Sequence, residues 1–123
     1  MVINDISIEK EVIDTAKFEK IYEDNLLSNS WLLNNQYKPT DINGVPATVY
    51  SGSYKDPKTE QEVLIPSVFL KEDGKTLEWE EDWEKAKKRS KDLGFGITFN
   101  SAEEATEFSK WLSKKHENSI YGE

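Results

Sequence analysis

The chain has 123 residues and a formal net charge of −8 at pH 7, and Arg89 is its only arginine. This length suits one small domain, or one domain with an arm, and allows a core that buries roughly two-thirds of the unfolded surface. The acidic balance argues against direct binding to nucleic-acid phosphates, which requires a basic face. The absence of cysteine excludes disulfides, thiolate nucleophiles and cysteine metal sites.

The N-terminal sequence MVINDISIEKE is too polar for a signal peptide, and no run of the chain approaches ~18 apolar residues. We therefore expect a protein that is made in the cytoplasm and has no membrane span.

The first 45 residues are predicted to form a helix followed by a loop or extended arm. Apolar residues recur at helical spacing from Phe18 to Leu26, and Asp14 is placed to cap that helix. The stretch that follows, SNSWLLNNQYKPTDINGVP, is rich in Asn, Ser, Pro and Gly and has a single apolar cluster at 31–33.

From Pro46 onward the pattern changes to short strands. Residues 47–54 alternate as a strand, residues 62–70 form a second strand, and Leu77 begins a short third one after an Asp-Gly turn. Pro66 lies inside the second strand and cannot donate to a ladder, so an edge, a bulge or a bend is expected there.

Two helices complete the predicted elements, and a strand at 95–99 lies between them. The first carries an apolar stripe and ends at Gly94, a residue type that tolerates positive φ. The second begins at Ser101, which has Glu104 at capping-box spacing. The stripe of the first helix consists of Trp79, Trp83, Ala86, Ser90 and Leu93, and that of the second of Ala105, Phe108 and Leu112.

No catalytic, cofactor-binding or metal-binding residues are predicted. Gly94 follows a helix and Gly96 lies at the start of a strand, whereas the glycines of a phosphate-binding loop follow a strand and begin a helix. The only histidine, His116, falls in the last turn of the final helix, where a cation complements the helix dipole. The acidic run at 80–84 lacks the spacing of a calcium loop and suits the first turn of a helix.

These elements predict an α+β fold with a small antiparallel or mixed sheet and two helices on one face. The compact domain would span residues 46–118, preceded by a helical and extended N-terminal arm at 1–45 and followed by a flexible tail at 119–123. The residues expected to be buried together are Ile65, Trp83, Phe99, Phe108 and Leu112.

The second half of the chain resembles a small domain that recurs in tailed-bacteriophage virion proteins. The resemblance covers about half of the chain and rests on the order of several short motifs. These are a V-L-I-P-[ST]-V strand, a turn with Gly, a helix with a central Ala, a Gly, an apolar-x-F strand and a final helix of the type E-E-A-x-x-[FY]. The matching residues are Val63, Leu64, Ile65, Pro66, Ser67, Val68, Gly74, Ala86, Gly94, Ile97, Phe99, Ser101, Glu103, Glu104, Ala105 and Phe108.

The resemblance implies a non-enzymatic virion component bound to capsid, portal or tail subunits, in multiple symmetric copies and without cofactors. We expect the arm to supply the contact, because the domain from Pro46 onward does not need all of the arm's apolar residues. Deleting residues 1–33 should then leave a folded domain that no longer joins particles. The predicted interface residues are Phe18, Tyr22, Leu26, Trp31, Leu32 and Leu33.

Two alternatives remain open at this point. An acidic phage-encoded inhibitor or nucleic-acid mimic that acts on a host protein would account for the charge of −8. A lysis-associated module is the third reading, although no lytic half is visible in the chain.

Overall fold

The computed structural model describes residues 15–120, with an α-helix at 15–25 (α1) and a 3-10 helix at Ser30–Gln36. The predicted cap at Asp14 lies outside the described residues. Two longer helices follow, α2 at Trp83–Leu93 and α3 at Ala102–Ile120. The strands of this part of the chain are β1 (Thr40–Ile42), β2 (Val45–Ala47), β3 (Ser51–Lys55), β4 (Glu62–Pro66), β5 (Val68–Leu70), β6 (Leu77–Trp79) and β7 (Ile97–Phe99).

The strands form one three-stranded sheet, in the order β3-β4-β7, and two separate hairpins, β1-β2 and β5-β6. All of these pairings are antiparallel, so the α+β class with small antiparallel sheets is confirmed. The predicted strand at 62–70 is divided into β4 and β5, because the chain bends at Ser67, directly after Pro66.

The β1-β2 hairpin lies within the stretch predicted to be an irregular loop. Asn43 and Gly44 connect its two strands, and both have positive φ angles, 52° and 85°. Two such residues are typical of the type I′ turn that closes a two-residue hairpin. The prediction of an irregular loop is therefore wrong for this segment, and the Asn-Gly pair is the sequence feature that indicates the hairpin.

The central sheet carries helices on both faces. Ser51 Oγ lies 2.6 Å from Ser109 Oγ of α3, whereas the ring of Trp83, at the start of α2, lies over Gly52. Since consecutive residues of a strand point to opposite faces, α3 and the start of α2 lie on opposite sides of the sheet. The expectation that these two helices share one face is therefore wrong, although the α+β class holds. The helix that accompanies α3 is α1, whose Phe18 ring contacts Phe108.

The main core is an aromatic cluster centred on Phe108. Its ring centroid lies 5.6 Å from that of Phe18, 5.4 Å from that of Phe99 and 5.5 Å from that of Trp111. Leu64 and Leu112 complete this layer between the sheet and α3. Such aromatic contacts stabilise the fold beyond the area that they bury.

The predicted boundary between an arm at 1–45 and a domain at 46–118 is wrong for the described residues. Trp31 and Leu32 of the 3-10 helix are 1% and 0% exposed, and they belong to the same core cluster as Phe108. Two ion pairs, Lys17–Glu104 and Lys115–Glu19, also join α1 to α3. A three-stranded sheet cannot cover the apolar stripe of α3 by itself, so the N-terminal helices complete its burial.

The ends of the helices agree in part with the prediction. Gly94 ends α2 with a φ of 75°, and the side chain of Ser101 accepts a hydrogen bond from the Glu104 N–H at the start of α3. However, α2 begins at Trp83 rather than at Trp79, since the Asp82 carboxylate caps it by accepting from the Lys85 N–H.

Two further expectations are corrected. Trp83 is 36% exposed and does not belong to the core that includes Phe99 and Phe108. Ile65 is buried, as expected, but it lies outside this core cluster as well. The predicted tail at 119–123 begins too early, because α3 continues through Ile120. Residues 121–123 lie outside the described residues.

We predict that Trp31→Ala lowers the free energy of unfolding by about 3–5 kcal/mol, the usual cost of truncating a fully buried aromatic side chain. Urea unfolding followed by circular dichroism would measure it. The matched control is Leu27→Ala, where removing a fully exposed side chain should cost less than about 0.5 kcal/mol.

Deleting residues 1–33 should abolish cooperative unfolding, because the deletion removes core side chains such as Trp31 and Leu32. A stable, cooperatively folded truncation would return the N-terminal region to the status of a separate arm.

Candidate protein-binding surface

Most of the predicted interface residues do not lie on the surface. Phe18, Tyr22, Trp31 and Leu32 are buried in the chain's own core, and the Tyr22 hydroxyl donates to the Leu32 carbonyl at 3.1 Å. Their assignment to an interface is wrong, because a side chain enclosed in the core cannot contact a second protein. The other two predicted residues, Leu26 and Leu33, are partly buried.

The exposed aromatic residues lie elsewhere. Tyr50 is 51% exposed and Trp83 is 36% exposed, and both line one depression of about 380 Å³ together with Trp79. We call this depression the aromatic cleft. The residues that line it are Tyr50, Ser51, Gly52, Ser53, Ser67, Trp79, Glu80, Glu81 and Trp83.

Ser67 holds the base of the aromatic cleft together. Its N–H and its hydroxyl both donate to the Tyr50 carbonyl, at 2.7 and 3.0 Å, and its own carbonyl accepts from the Glu80 N–H at 2.7 Å. These bonds connect the entry to β3, the bend between β4 and β5, and the segment before α2. As a result, the rings of Tyr50 and Trp79 meet edge to face, with centroids 6.1 Å apart.

Gly52 provides the space for the second tryptophan. A Cβ atom at this position would lie 3.0 Å from Cη2 of Trp83, closer than such atoms normally approach. The absence of a side chain therefore lets the ring of Trp83 lie against the strand. A glycine inside a strand is a known sign of such a close approach, and it was the sequence signal available for this site.

The rim of the aromatic cleft is acidic. Its charged lining residues are Glu80 and Glu81, and no lysine or arginine of the described part of the chain lines it. Arg89 approaches Glu80 from α2, with Nη1 3.4 Å from Oε1, and also pairs with Glu78 at 2.7 Å. Its guanidinium lies 4.3 Å from the centroid of the Phe69 ring. These contacts hold the Arg89 side chain against Glu78, Glu80 and Phe69. Glu81, in contrast, is exposed at the rim.

This combination of groups is typical of a contact surface. Tryptophan and tyrosine supply large, stiff apolar faces with few rotatable bonds, and they dominate the energetic centres of protein interfaces. Carboxylates beside them supply orientation and specificity.

His116 is the only histidine of the chain. Its ring lies beside the hydroxyl of Thr48, an arrangement that also occurs between a catalytic base and its nucleophile. Its Nδ1 lies 2.8 Å from Thr48 Oγ1, but both residues are only 1% exposed. Nε2 has no hydrogen-bond partner in the described part of the chain, so no carboxylate orients the ring. The pair joins α3 to the segment before β3, at the base of a depression of about 330 Å³, and is almost completely buried there.

Burial lowers the pKa of His116 to about 4. The Leu32 carbonyl partly opposes this shift by favouring the charged ring, and the positive charge of Lys115 adds to it. The imidazole is therefore neutral at physiological pH.

The range 15–120 contains no group of three or more His, Asp or Glu side chains arranged to hold a metal ion. No helix within it is both long and apolar enough to cross a bilayer.

No protein-family model, curated protein or solved structure shows significant similarity to this chain. The resemblance to a phage virion domain therefore stays a prediction.

We predict a pH-dependent stability that originates at His116. Because its folded-state pKa of about 4 lies below the ordinary value of 6.5, only the unfolded state binds the proton between these limits. The contribution to stability is complete above pH 6.5 and is lost as the pH falls toward 4, by about 3 kcal/mol in total.

Urea unfolding of the wild type and of His116→Asn at several pH values would measure this effect. Asparagine keeps a polar group for Thr48 but does not titrate, so the slope between about pH 4.5 and 6.5 should be much smaller in the variant. Equal slopes in the two proteins would show that other groups cause the dependence.

Proposed function

We propose that this chain is a non-enzymatic, protein-binding component of a tailed-bacteriophage particle, attached to capsid, portal or tail subunits through the aromatic cleft. The observation that carries the proposal is the grouping of Tyr50, Trp79 and Trp83 on one surface, two of them substantially exposed. The sequence resemblance supplies the virion context. Direct contact with nucleic acid or a membrane is not part of the proposal.

The energetics favour a contact at this surface over an accidental exposure. Leaving two large aromatic rings in water forgoes burial worth roughly 25 cal/mol for each Å² of apolar surface. The fold buries the rings of Trp31 and Phe108 almost completely, so it is able to bury aromatic side chains. A partner that covers the aromatic cleft would recover this energy on binding.

The alternative of a nucleic-acid mimic is less well supported by the surface. Lys110, Lys114 and Lys115 surround Trp111 along one side of α3, where they line a common depression. A mimic of a phosphate backbone requires a surface of one charge sign, and this basic group interrupts it. A virion component has no such requirement.

The proposal predicts that Trp83→Ala removes the protein from particles while the chain stays folded. Losing one central aromatic anchor typically costs 2 kcal/mol or more, so incorporation should fall by roughly thirtyfold. Mass spectrometry of purified particles of the encoding virus, with copy number measured against the portal subunit, would show it. Urea unfolding would verify that the variant is folded.

The matched control is Leu93→Ala, which removes another exposed apolar side chain from the same helix, α2. It should leave incorporation unchanged. If Leu93→Ala abolishes incorporation and Trp83→Ala does not, the contact lies at the groove near Phe69 and Phe95 instead. Absence of the wild-type protein from particles would refute the virion assignment itself.

A further inference from the structure

The strand beside the aromatic cleft has an open edge. In the order β3-β4-β7, β3 has β4 on one side and no other strand of residues 15–120 on the other. The Ser67 N–H donates to the Tyr50 carbonyl at one end of this pairing, and the Asp56 N–H donates to the Gln61 carbonyl at the other. Residues of an antiparallel strand alternate between hydrogen-bonded and non-hydrogen-bonded pairs. The even-numbered residues from 50 to 56 therefore face β4.

It follows that Ser51, Ser53 and Lys55 direct their backbone N–H and C=O groups away from β4. No other described residue forms a backbone hydrogen bond with these groups. Ser51 and Ser53 also line the aromatic cleft. The open edge and the exposed rings thus belong to one continuous surface. Such a surface suits an extended segment, which can pair with the strand edge through its backbone.

The charges beside this edge indicate which extended chain would fit. Among residues 15–120, the lining of the aromatic cleft includes the carboxylates of Glu80 and Glu81 and no basic residue, and the whole chain carries −8. Lys87 lies outside the cleft, where its ammonium is 5.4 Å from the centroid of the Tyr54 ring of β3. An ammonium or guanidinium group placed over Trp83 would gain a cation–π contact as well as an attraction to these carboxylates. An acidic segment would be repelled.

We propose that an extended, basic segment of a partner protein adds to β3 as a further strand, with its Lys or Arg side chains over Trp83 and against Glu80 and Glu81. This inference rests on the proposed function, because it takes the aromatic cleft to be the contact. It names the partner chemistry of that site: a strand that donates and accepts backbone hydrogen bonds along Ser51–Lys55.

The chain's own N-terminal segment is a poorer occupant by charge. Residues 1–14 contain four acidic residues and one lysine, so they share the sign of the acidic rim. A second copy of the chain would bring a second pair of Glu80 and Glu81 side chains to the same contact. Both occupants are nevertheless separate outcomes of the test below.

The probe is the synthetic peptide acetyl-RVKVRV-amide, with binding to the full chain measured by calorimetry and by shifts of the backbone amide signals. We expect the largest shifts at Ser51, Ser53 and Lys55. Raising NaCl from about 50 to about 500 mM should weaken binding severalfold, because exposed ion pairs are screened. The acidic peptide acetyl-EVEVEV-amide should not bind. Equal binding of the two peptides would overturn the charge argument.

Two N-methylated versions of the basic peptide test for strand addition, one modified at the odd and one at the even residues. Only one edge of an added strand faces β3, so one version should lose binding and the other should retain it. Retention by both versions would show that the peptide does not pair with the strand.

Ser53→Pro is the corresponding change in the protein. It removes an outward N–H and leaves the backbone bonds to β4 intact, a position at which a strand tolerates proline. It also removes the bond that the Ser53 hydroxyl donates to the Glu62 carboxylate of β4 at 2.7 Å, so urea unfolding should verify that the variant is folded. The peptide affinity should fall roughly tenfold or more, through one lost hydrogen bond and the steric clash of the ring. Thr98→Pro is the matched control, because Thr98 lies on the opposite edge of the same sheet, where β7 pairs with β4 only on its inner side.

The outcomes separate this inference from the proposed function. If Trp83→Ala removes the protein from particles while Ser53→Pro and the basic peptide have no effect, the proposed function stands and strand addition is refuted. If a peptide of residues 1–14 displaces the basic probe, the edge belongs to the chain's own N-terminal segment. If sedimentation shows a dimer that Ser53→Pro dissociates, the occupant is a second copy. Each of the last two results would also overturn the proposal of a basic partner.

Discussion

The packing of Phe108 is the contact on which the rest of the structure depends. Its ring contacts aromatic residues from α1, from β7 and from its own helix, so it joins three parts of the chain that are far apart in sequence. A three-stranded sheet of short strands offers little apolar area, and below a certain size such a sheet is not independently stable. The N-terminal helices supply the missing area, which is why Phe18, Tyr22, Trp31 and Leu32 are inside.

Ser67 is the second constraint, and it connects the fold to the proposed contact surface. Pro66 ends β4, and the hydrogen bonds of Ser67 then hold Tyr50 and Glu80 against the bend. A buried serine that satisfies three such bonds fixes the backbone more firmly than apolar packing alone would. The aromatic cleft is therefore preorganised, and a partner would lose little free energy by ordering it.

The aromatic residues are divided between two roles by the layers of the fold. Those facing α3 are enclosed and stabilise the monomer, whereas Tyr50 and Trp83 lie on the opposite side, where α2 and Trp79 of β6 cover them only in part. The small side chains of Ala86 and Ser90 let α2 lie close to β4, and the ring of Trp83, its first residue, lies over Gly52 of β3. This geometry leaves Trp83 half-covered above Gly52 and makes it available for contact.

The sequence alone determined the features that depend on neighbouring residues: the stop of α2 at Gly94, the capping of α3 by Ser101, the strands around the Asp-Gly turn and the α+β class. Each involves residues only a few positions apart, so periodicity and turn chemistry were sufficient. Only the tertiary structure decided that Trp31 is buried and Trp83 is exposed. Both lie in apolar patterns that are equally compatible with a core and with an interface. Their burial depends on which side of the sheet each segment packs against, and that is set by contacts between residues such as Phe18 and Phe108, which local sequence patterns do not encode.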